Sequence, residues 1–246
     1  AEGEIDLSNS SIIYLTNVEA KIKLIDKDQI LITSNFGKYN IDNYDTIFCV
    51  GPHQIKEIRE IEKVYGLKAK KLINYGYGRL DTLLQNEKNS QTTNSNAKDL
   101  IIIAPSYGDD NLLEKCGIEL IDMLLKADFR VLVRPHLRTL RDSTELIDSI
   151  KKKFEKNPNF VFETGVIPFD SLNNSKCMIS DWSGVAIEYA FGLEKPVLYV
   201  DIPKKINNPD YKNLEIVPLE EKIRTQIGVI ISPLELSNLS SKIENL

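Results

Sequence analysis

Cysteine is scarce in this chain and arranged without pattern: Cys49, Cys116 and Cys177 are odd in number, widely spaced, and set in or beside apolar segments. That fits buried thiols in a reducing compartment better than a disulfide framework or a zinc site, with the cytoplasm as the default location. Long hydrophobic runs are also missing. No stretch approaches the roughly 18 apolar residues of a membrane span, and no charged-then-apolar signal peptide opens the chain. Nor is there an excess of positive charge. The formal net charge is −5, with Lys and Arg dispersed among Asp and Glu, so there is no basic stripe for a nucleic-acid backbone, although a local basic pocket stays compatible with that total. A GxGxxG turn is absent too, which removes the dinucleotide fingerprint and disfavours an NAD enzyme.

With 246 residues and 42% hydrophobic content, the chain can bury one large core or two modest ones, and its length favours two lobes. The segment Gln85 to Lys98 (QNEKNSQTTNSNAK) has no apolar residue except Ala97 and reads as a polar linker or exposed loop. It separates an N-terminal lobe, residues 1–84, from a C-terminal lobe, residues 99–246. In the first lobe Ser11–Leu15, Gln29–Thr33 and Thr46–Val50 read as strands, and Gln54–Tyr65 carries Ile55, Ile58, Ile61 and Val64 or Tyr65 at helical spacing. In the second, IIIAP, RVLVR, FVFE, CMIS, PVLYV and GVII read as strands. Helices are expected at Asn111–Lys126, Arg141–Lys156, Val185–Phe191 and Leu234–Ile243. Strands alternating with helices of this length demand crossover connections, hence an α/β fold with a mostly parallel sheet covered on both faces.

Polar residues recur just past the strand ends: Ser106, Arg134 with His136, Asp181 to Gly184, and Asp201. In an open parallel sheet that edge is the ligand crevice, so Ser106, Arg134, His136, Asp181, Ser183, Gly184 and Glu188 are the candidate nucleotide- and diphosphate-binding residues, with His136 also a candidate catalytic residue. Pro135 ends the VLV strand and restricts Arg134 to extended backbone, so His136 is presented on a rigid turn. A fixed Arg and His pair suits a diphosphate; a loop whose His is merely solvated or hydrogen-bonded fits the same letters. Ser180-Asp181-Trp182-Ser183-Gly184 lies between a strand and a helix, where free amides and the helix dipole favour an anion and Gly184 admits a phosphate close to the backbone. Ordinary N-capping by Asp181 or Ser183 is the competing explanation. Glu188, one helical turn on from Gly184, can accept ribose hydroxyls or face solvent. Gly76 to Asp81 (GYGRLD) sits where the chain passes between lobes, as a hinge or as a place from which Arg79 and Asp81 line the interdomain cleft. The lysines at 151 to 153 read as the solvated face of a helix.

Together, GYGRLD, IIIAPSYGDD (Ile101 to Asp110), VLVRPH (Val131 to His136), SDWSGVAIEYAFGLEKPVLYVD (Ser180 to Asp201) and IPKKINNPDY (Ile202 to Tyr211) resemble the CDP-glycerol glycerophosphotransferases, the teichoic-acid and capsule-type primases and polymerases. The resemblance covers Val50 to Tyr211. It implies a two-lobed GT-B fold whose C-terminal Rossmann-like lobe binds nucleotide, with His136 and the Ser183-Gly184 turn holding cytidine diphosphate, Arg134 assisting and Glu188 near the ribose. The donor it implies is CDP-glycerol or another CDP-alditol, the acceptor lipid-linked or polysaccharide, with no obligatory cofactor or metal. Lipid-linked acceptors would bring such a protein to the inner face of the membrane, although no basic amphipathic stretch here argues for it. The family carries a His-Gly motif in the N-terminal lobe, whose His is thought to act as general base, and no such pair occurs here. The only histidines are His53 and His136. The short first lobe points to truncation, since a Rossmann-like lobe usually needs about 100 residues or more, and His53, in VGPHQIKEI, is the remaining candidate base, a helix-start His being otherwise structural. A sugar-nucleotide glycosyltransferase or epimerase of the same fold, or a non-catalytic nucleotide-binding module, are the alternatives.

Overall fold

A computed structural model describes residues 12–14, 41, 44–89, 99–165, 169–206 and 211–246. The strand expected at Gln29–Thr33 lies outside the described residues, as do residues 90–98 of the polar segment. The chain divides into two compact units, Ala1–Asp81 with Ile206–Lys222, and Thr82–Lys205 with Ile223–Leu246.

The first unit holds a parallel sheet of β1 (Ile12–Tyr14), β2 (Thr46–Cys49) and β3 (Lys71–Asn74), in that order. Helix α1 (Pro52–Tyr65) starts with Pro52 after an extended Gly51 and stops at Gly66, whose left-handed φ of 63° a side chain would resist. Its Ile58 and Ile61 pack on Ile47, Cys49 and Ile41. Glu62, buried on the same helix, accepts the Lys70 amide at 2.6 Å and so pins the approach to β3. Helix α2 (Gly78–Asn89) follows, running on into the segment expected to be a linker.

The second unit is a doubly wound sheet, all parallel, built from β4 (Leu100–Ile103), β5 (Arg130–Val133), β6 (Phe160–Phe162), β7 (Cys177–Ser180), β8 (Val197–Val200) and β9 (Gly228–Ile231). Its strand order is β6-β5-β4-β7-β8-β9. The order reverses between β4 and β7, and the crevice at that switch point is where such sheets bind ligands. Successive side chains alternate between faces. Ile101, Ile103, Val131, Val133, Cys177, Ile179, Leu198 and Val200 belong to one core. Leu100, Ile102, Leu132, Met178, Val197 and Tyr199 belong to the other. Burying each aliphatic side chain is worth about 2 kcal/mol. Helix α3 (Ile118–Lys126) and α5 (Thr144–Phe154) cover the first face, and α7 (Gly184–Leu193) with the short α6 (Phe169–Asn173) the second.

Three helical stretches differ from expectation. The Asn111–Lys126 segment opens as a π-turn, Leu113–Gly117, kinked at Cys116 (φ −152°, ψ 16°), with the Asn111 side chain taking the Leu113 amide at 2.8 Å. The Arg141–Lys156 segment is broken at Ser143 into α4 (Leu137–Asp142) and α5. The C-terminal segment is a 3-10 turn, Pro233–Asn238, set by a Ser232/Glu235 capping box, before α9 (Leu239–Glu244). Helix α8 (Leu219–Ile227), which no sequence signal announced, precedes β9. Among the described residues no helix is long and apolar enough to cross a membrane.

Burial pushes the thiols up, to about 11 for Cys49 and Cys116 and about 12 for Cys177. Native protein at pH 8 is therefore expected to leave all three unmodified by a thiol reagent that labels them after denaturation. A Cβ on Gly228 would sit 1.9 Å from the Val197 carbonyl oxygen across the β8–β9 ladder. Gly228→Ala is expected to lose about 3 kcal/mol in urea unfolding; a loss under about 0.5 kcal/mol, the range of neutral surface changes, would contradict that register.

Candidate functional site

Where β7 ends, its last residues turn inward. Ser180 Oγ donates to the Ala104 carbonyl at 2.6 Å, and the Asp181 carboxylate accepts the Ser106 amide at 2.6 Å and the Leu112 amide at 2.9 Å. Asp181 is 0% and Ser106 4% exposed. Burial pushes the Asp181 carboxyl up, and the amides from Leu112 and Ser106 oppose that by stabilising the charged form. Both residues, expected on the diphosphate, are thus consumed in stitching the β4 loop and the start of the π-turn to β7. Their part in a ligand site is to place the loops, and a buried carboxylate with its oxygens on amides has no surface to offer an anion.

One residue beyond Ser106, Tyr107 stands half-buried at the crevice with cations around its ring. The Arg138 guanidinium carbon lies 4.3 Å from the ring centroid and Lys205 Nζ 3.1 Å. The His136 ring is tilted by 39° against it, with centroids 4.6 Å apart. His136 is the N-cap of α4, and its Nδ1 accepts the Arg138 amide at 3.1 Å, so the neutral ring carries its proton on Nε2, as a donor. Arg134 is held by its Nε on the Gly165 carbonyl at 2.9 Å. Burial pulls the Lys205 ammonium down, opposed by its contact with Tyr107. Cationic and donor groups from the loops after β4, β5 and β8 thus converge on one aromatic plate, an arrangement that stabilises phosphate oxygens. Nothing in the sequence singles out Tyr107, Arg138 or Lys205 beyond the segments Ile101–Asp110 and Ile202–Tyr211 that hold the first and last of them and the basic pair Lys204-Lys205 in the loop after β8.

The turn into α7 supplies amides. Ser183 is its extended N-cap (φ −85°, ψ 131°) and makes no side-chain cap bond, so neither it nor Asp181 caps the helix in the ordinary way. Glu188, on the same helix, is buried at 9% exposure rather than solvated. The remaining candidates lie in the first unit. His53 is in the first turn of α1, its ring folded so closely over Gly51 that a Cβ there would meet it at 3.1 Å, and burial lowers its pKa. Arg79 and Asp81 are in the first turn of α2.

A separate concavity of about 700 Å³ is lined by Asp109, Glu114, Asp142 and Glu145 with Ser143 and Ser149. Its carboxylates repel a phosphate ligand, so size alone does not mark the site. Among the described residues no group of three or more His, Cys, Asp or Glu is placed to hold a metal ion.

The profile of the family described as CDP-Glycerol:Poly(glycerophosphate) glycerophosphotransferase matches residues 22–205. No curated protein sequence matches the chain. Among solved structures, the UDP-GlcNAc 2-epimerase of Methanocaldococcus jannaschii in complex with UDP-GlcNAc and UDP is 17% identical, with a TM-score of 0.53 over 82% of this chain and 54% of that one. A variant of the wall teichoic acid polymerase TagF is 18% identical, with a TM-score of 0.42 over 85% of this chain and 52% of that one. The chain spans about half the length of these structures. The first likeness shows the fold, α/β of the GT-B type.

Asp181→Asn keeps one acceptor and turns an amide group toward a backbone N–H that needs a partner. It is expected to cost about 1–3 kcal/mol in urea unfolding; unchanged stability would contradict the clamp.

Proposed function

Because the chain belongs to the CDP-Glycerol:Poly(glycerophosphate) glycerophosphotransferase family, we propose that it transfers glycerol phosphate, or a related alditol phosphate, from a CDP-activated donor to an acceptor hydroxyl in cell-wall or capsule polymer synthesis. The observation that carries the proposal is the cluster of His136, Arg138 and Lys205 about Tyr107, beside the uncapped start of α7.

In this reading the second unit takes the donor. The His136 Nε2–H, Arg138, Lys205 and Arg134 meet the diphosphate oxygens together with the amides at Ser183 and Gly184, and Glu188 lies toward the ribose. The acceptor oxygen attacks the β-phosphorus, forming the new P–O bond; the bond between that phosphorus and the bridging oxygen breaks, and CMP leaves with the electron pair. The charge that develops sits on phosphate oxygens, so fixed cations and amides supply most of the stabilisation and the reaction asks little covalent chemistry of the protein. The acceptor proton needs a base. His53 is the histidine of the first unit, and its lowered pKa leaves the ring neutral near pH 7, the form that takes a proton. Arg79 and Asp81, in the same unit, are assigned to the acceptor side. The acceptor, a lipid-linked or polysaccharide hydroxyl, would draw the protein to the membrane surface.

Calorimetric titration with CDP, CDP-glycerol and UDP tests this. Cytidine nucleotides are expected to bind in preference to UDP, and His136→Ala to weaken CDP at least about tenfold, the loss of a charge-assisted contact. A preference for UDP would move the assignment to a sugar-nucleotide glycosyltransferase or epimerase, and equal CDP affinity in the variant would remove His136 from the site.

A further inference from the structure

Behind the α7 turn sits a buried cation that the site described above does not use. Arg224, on α8, is 4% exposed. Its guanidinium carbon lies 4.0 Å from the centroid of the Trp182 ring and 5.0 Å from that of Tyr199. Its Nη1 reaches Asp201 Oδ1 at 3.3 Å, but that carboxylate is 58% exposed. Its Nε and Nη2 are buried with no acceptor among the described residues. An ion kept from water with most of its donors unmet is destabilising where it stands. A Met or Leu would fill the gap between the two rings without that penalty, so packing alone does not explain an arginine here.

Two neighbours explain it. Trp182 immediately precedes Ser183, and its indole N–H donates to the Ile202 carbonyl at 3.1 Å, so the ring spans from the β7 turn to the β8 turn. The guanidinium lying on that ring fixes the plate on which the anion turn rests. Asp181, the next residue back, is a fully buried carboxylate, one residue along the chain from the indole on which the guanidinium lies. Without a counter-charge it would repel any phosphate brought to the Ser183-Gly184 amides, and in a dry interior such repulsion is strong.

We infer that Arg224 is a positioning residue of this anion turn: it holds Trp182 in place and supplies the buried positive charge that lets a diphosphate settle beside Asp181. The inference rests on the nucleotide-transferase reading. It reaches the ligand through Trp182 and through space, since an arginine buried to this degree does not touch the ligand itself.

Trp182 is the only tryptophan in the chain, so its fluorescence reports on this contact directly. Full-length chain, Arg224→Met and Arg224→Lys are titrated with CMP and with CDP while Trp182 emission is followed. CDP is expected to perturb the emission of the unmodified chain. Arg224→Met should bind CDP at least about tenfold more weakly, a loss of about 1.4 kcal/mol, and CMP by a smaller factor, because the missing charge matters more to the more highly charged ligand. Arg224→Lys should recover part of the CDP affinity. Equal CDP affinity in Arg224→Met overturns the inference while leaving the transferase reading intact. So does an equal loss for CMP and CDP that lysine does not restore, the mark of a merely structural arginine. If Arg224→Met does not unfold cooperatively, Arg224→Lys decides, and a loss shared equally by the two nucleotides rejects the role. Failure of the unmodified chain to bind any cytidine nucleotide sinks the transferase reading and this inference together.

Discussion

A carboxylate cut off from water organises the second unit. Asp181 holds amides that lie 75 and 69 residues away in sequence, and those two bonds decide where the loop after β4 and the helix beyond it can go. Tyr107, the plate for His136, Arg138 and Lys205, is the residue after Ser106. Ser183 and Gly184 are two and three residues after Asp181 itself. Both halves of the proposed anion site therefore hang from one side chain, and the Ser180 bond to Ala104 makes the same seam continuous one residue earlier. A strand order that reverses between β4 and β7 creates the crevice, and the clamp gives it a fixed rim.

A negative charge placed at the base of an anion site is paradoxical until its surroundings are counted. The amides from Ser106 and Leu112 disperse it, and the Arg224 guanidinium lies on the ring of Trp182, the residue that follows it. The chain is acidic overall, at −5, and an acidic concavity of about 700 Å³ lies elsewhere on the same unit. Positive charge is thus a local property of the strand ends, made by bringing three loops together rather than by composition, a contrast that would steer a phosphate ligand to it.

Much of the second unit was legible in the sequence because its central strands are buried on both faces and so are uniformly apolar: LIII, CMIS and VLYV leave few other assignments. Pro135 marks the end of its strand for an equally plain reason of backbone geometry. What could not be read were interactions between distant residues. A carboxylate that clamps backbone and one that faces a ligand are the same letter, which is why Asp181 and Ser106 were expected on the diphosphate. Nothing periodic connects Tyr107 with Lys205, whose contact exists only because β4 and β8 end at the same edge. Helix α8 offers just Leu219, Ile223 and Ile227 among charged neighbours, too thin a stripe to notice, yet it carries Arg224. The breaks at Cys116 and Ser143 are backbone departures within otherwise helical segments, which apolar spacing does not register.

The central claim is that cytidine diphosphate settles at the strand ends of the second unit, between the Tyr107 cluster and the start of α7. Amide chemical shifts of the ¹⁵N-labelled chain, recorded as CDP is added, test it most directly. Shifts concentrated at Tyr107, His136 to Arg138 and Ser183 to Val185 are predicted. Saturable shifts confined to other segments, or none at millimolar nucleotide, would contradict it.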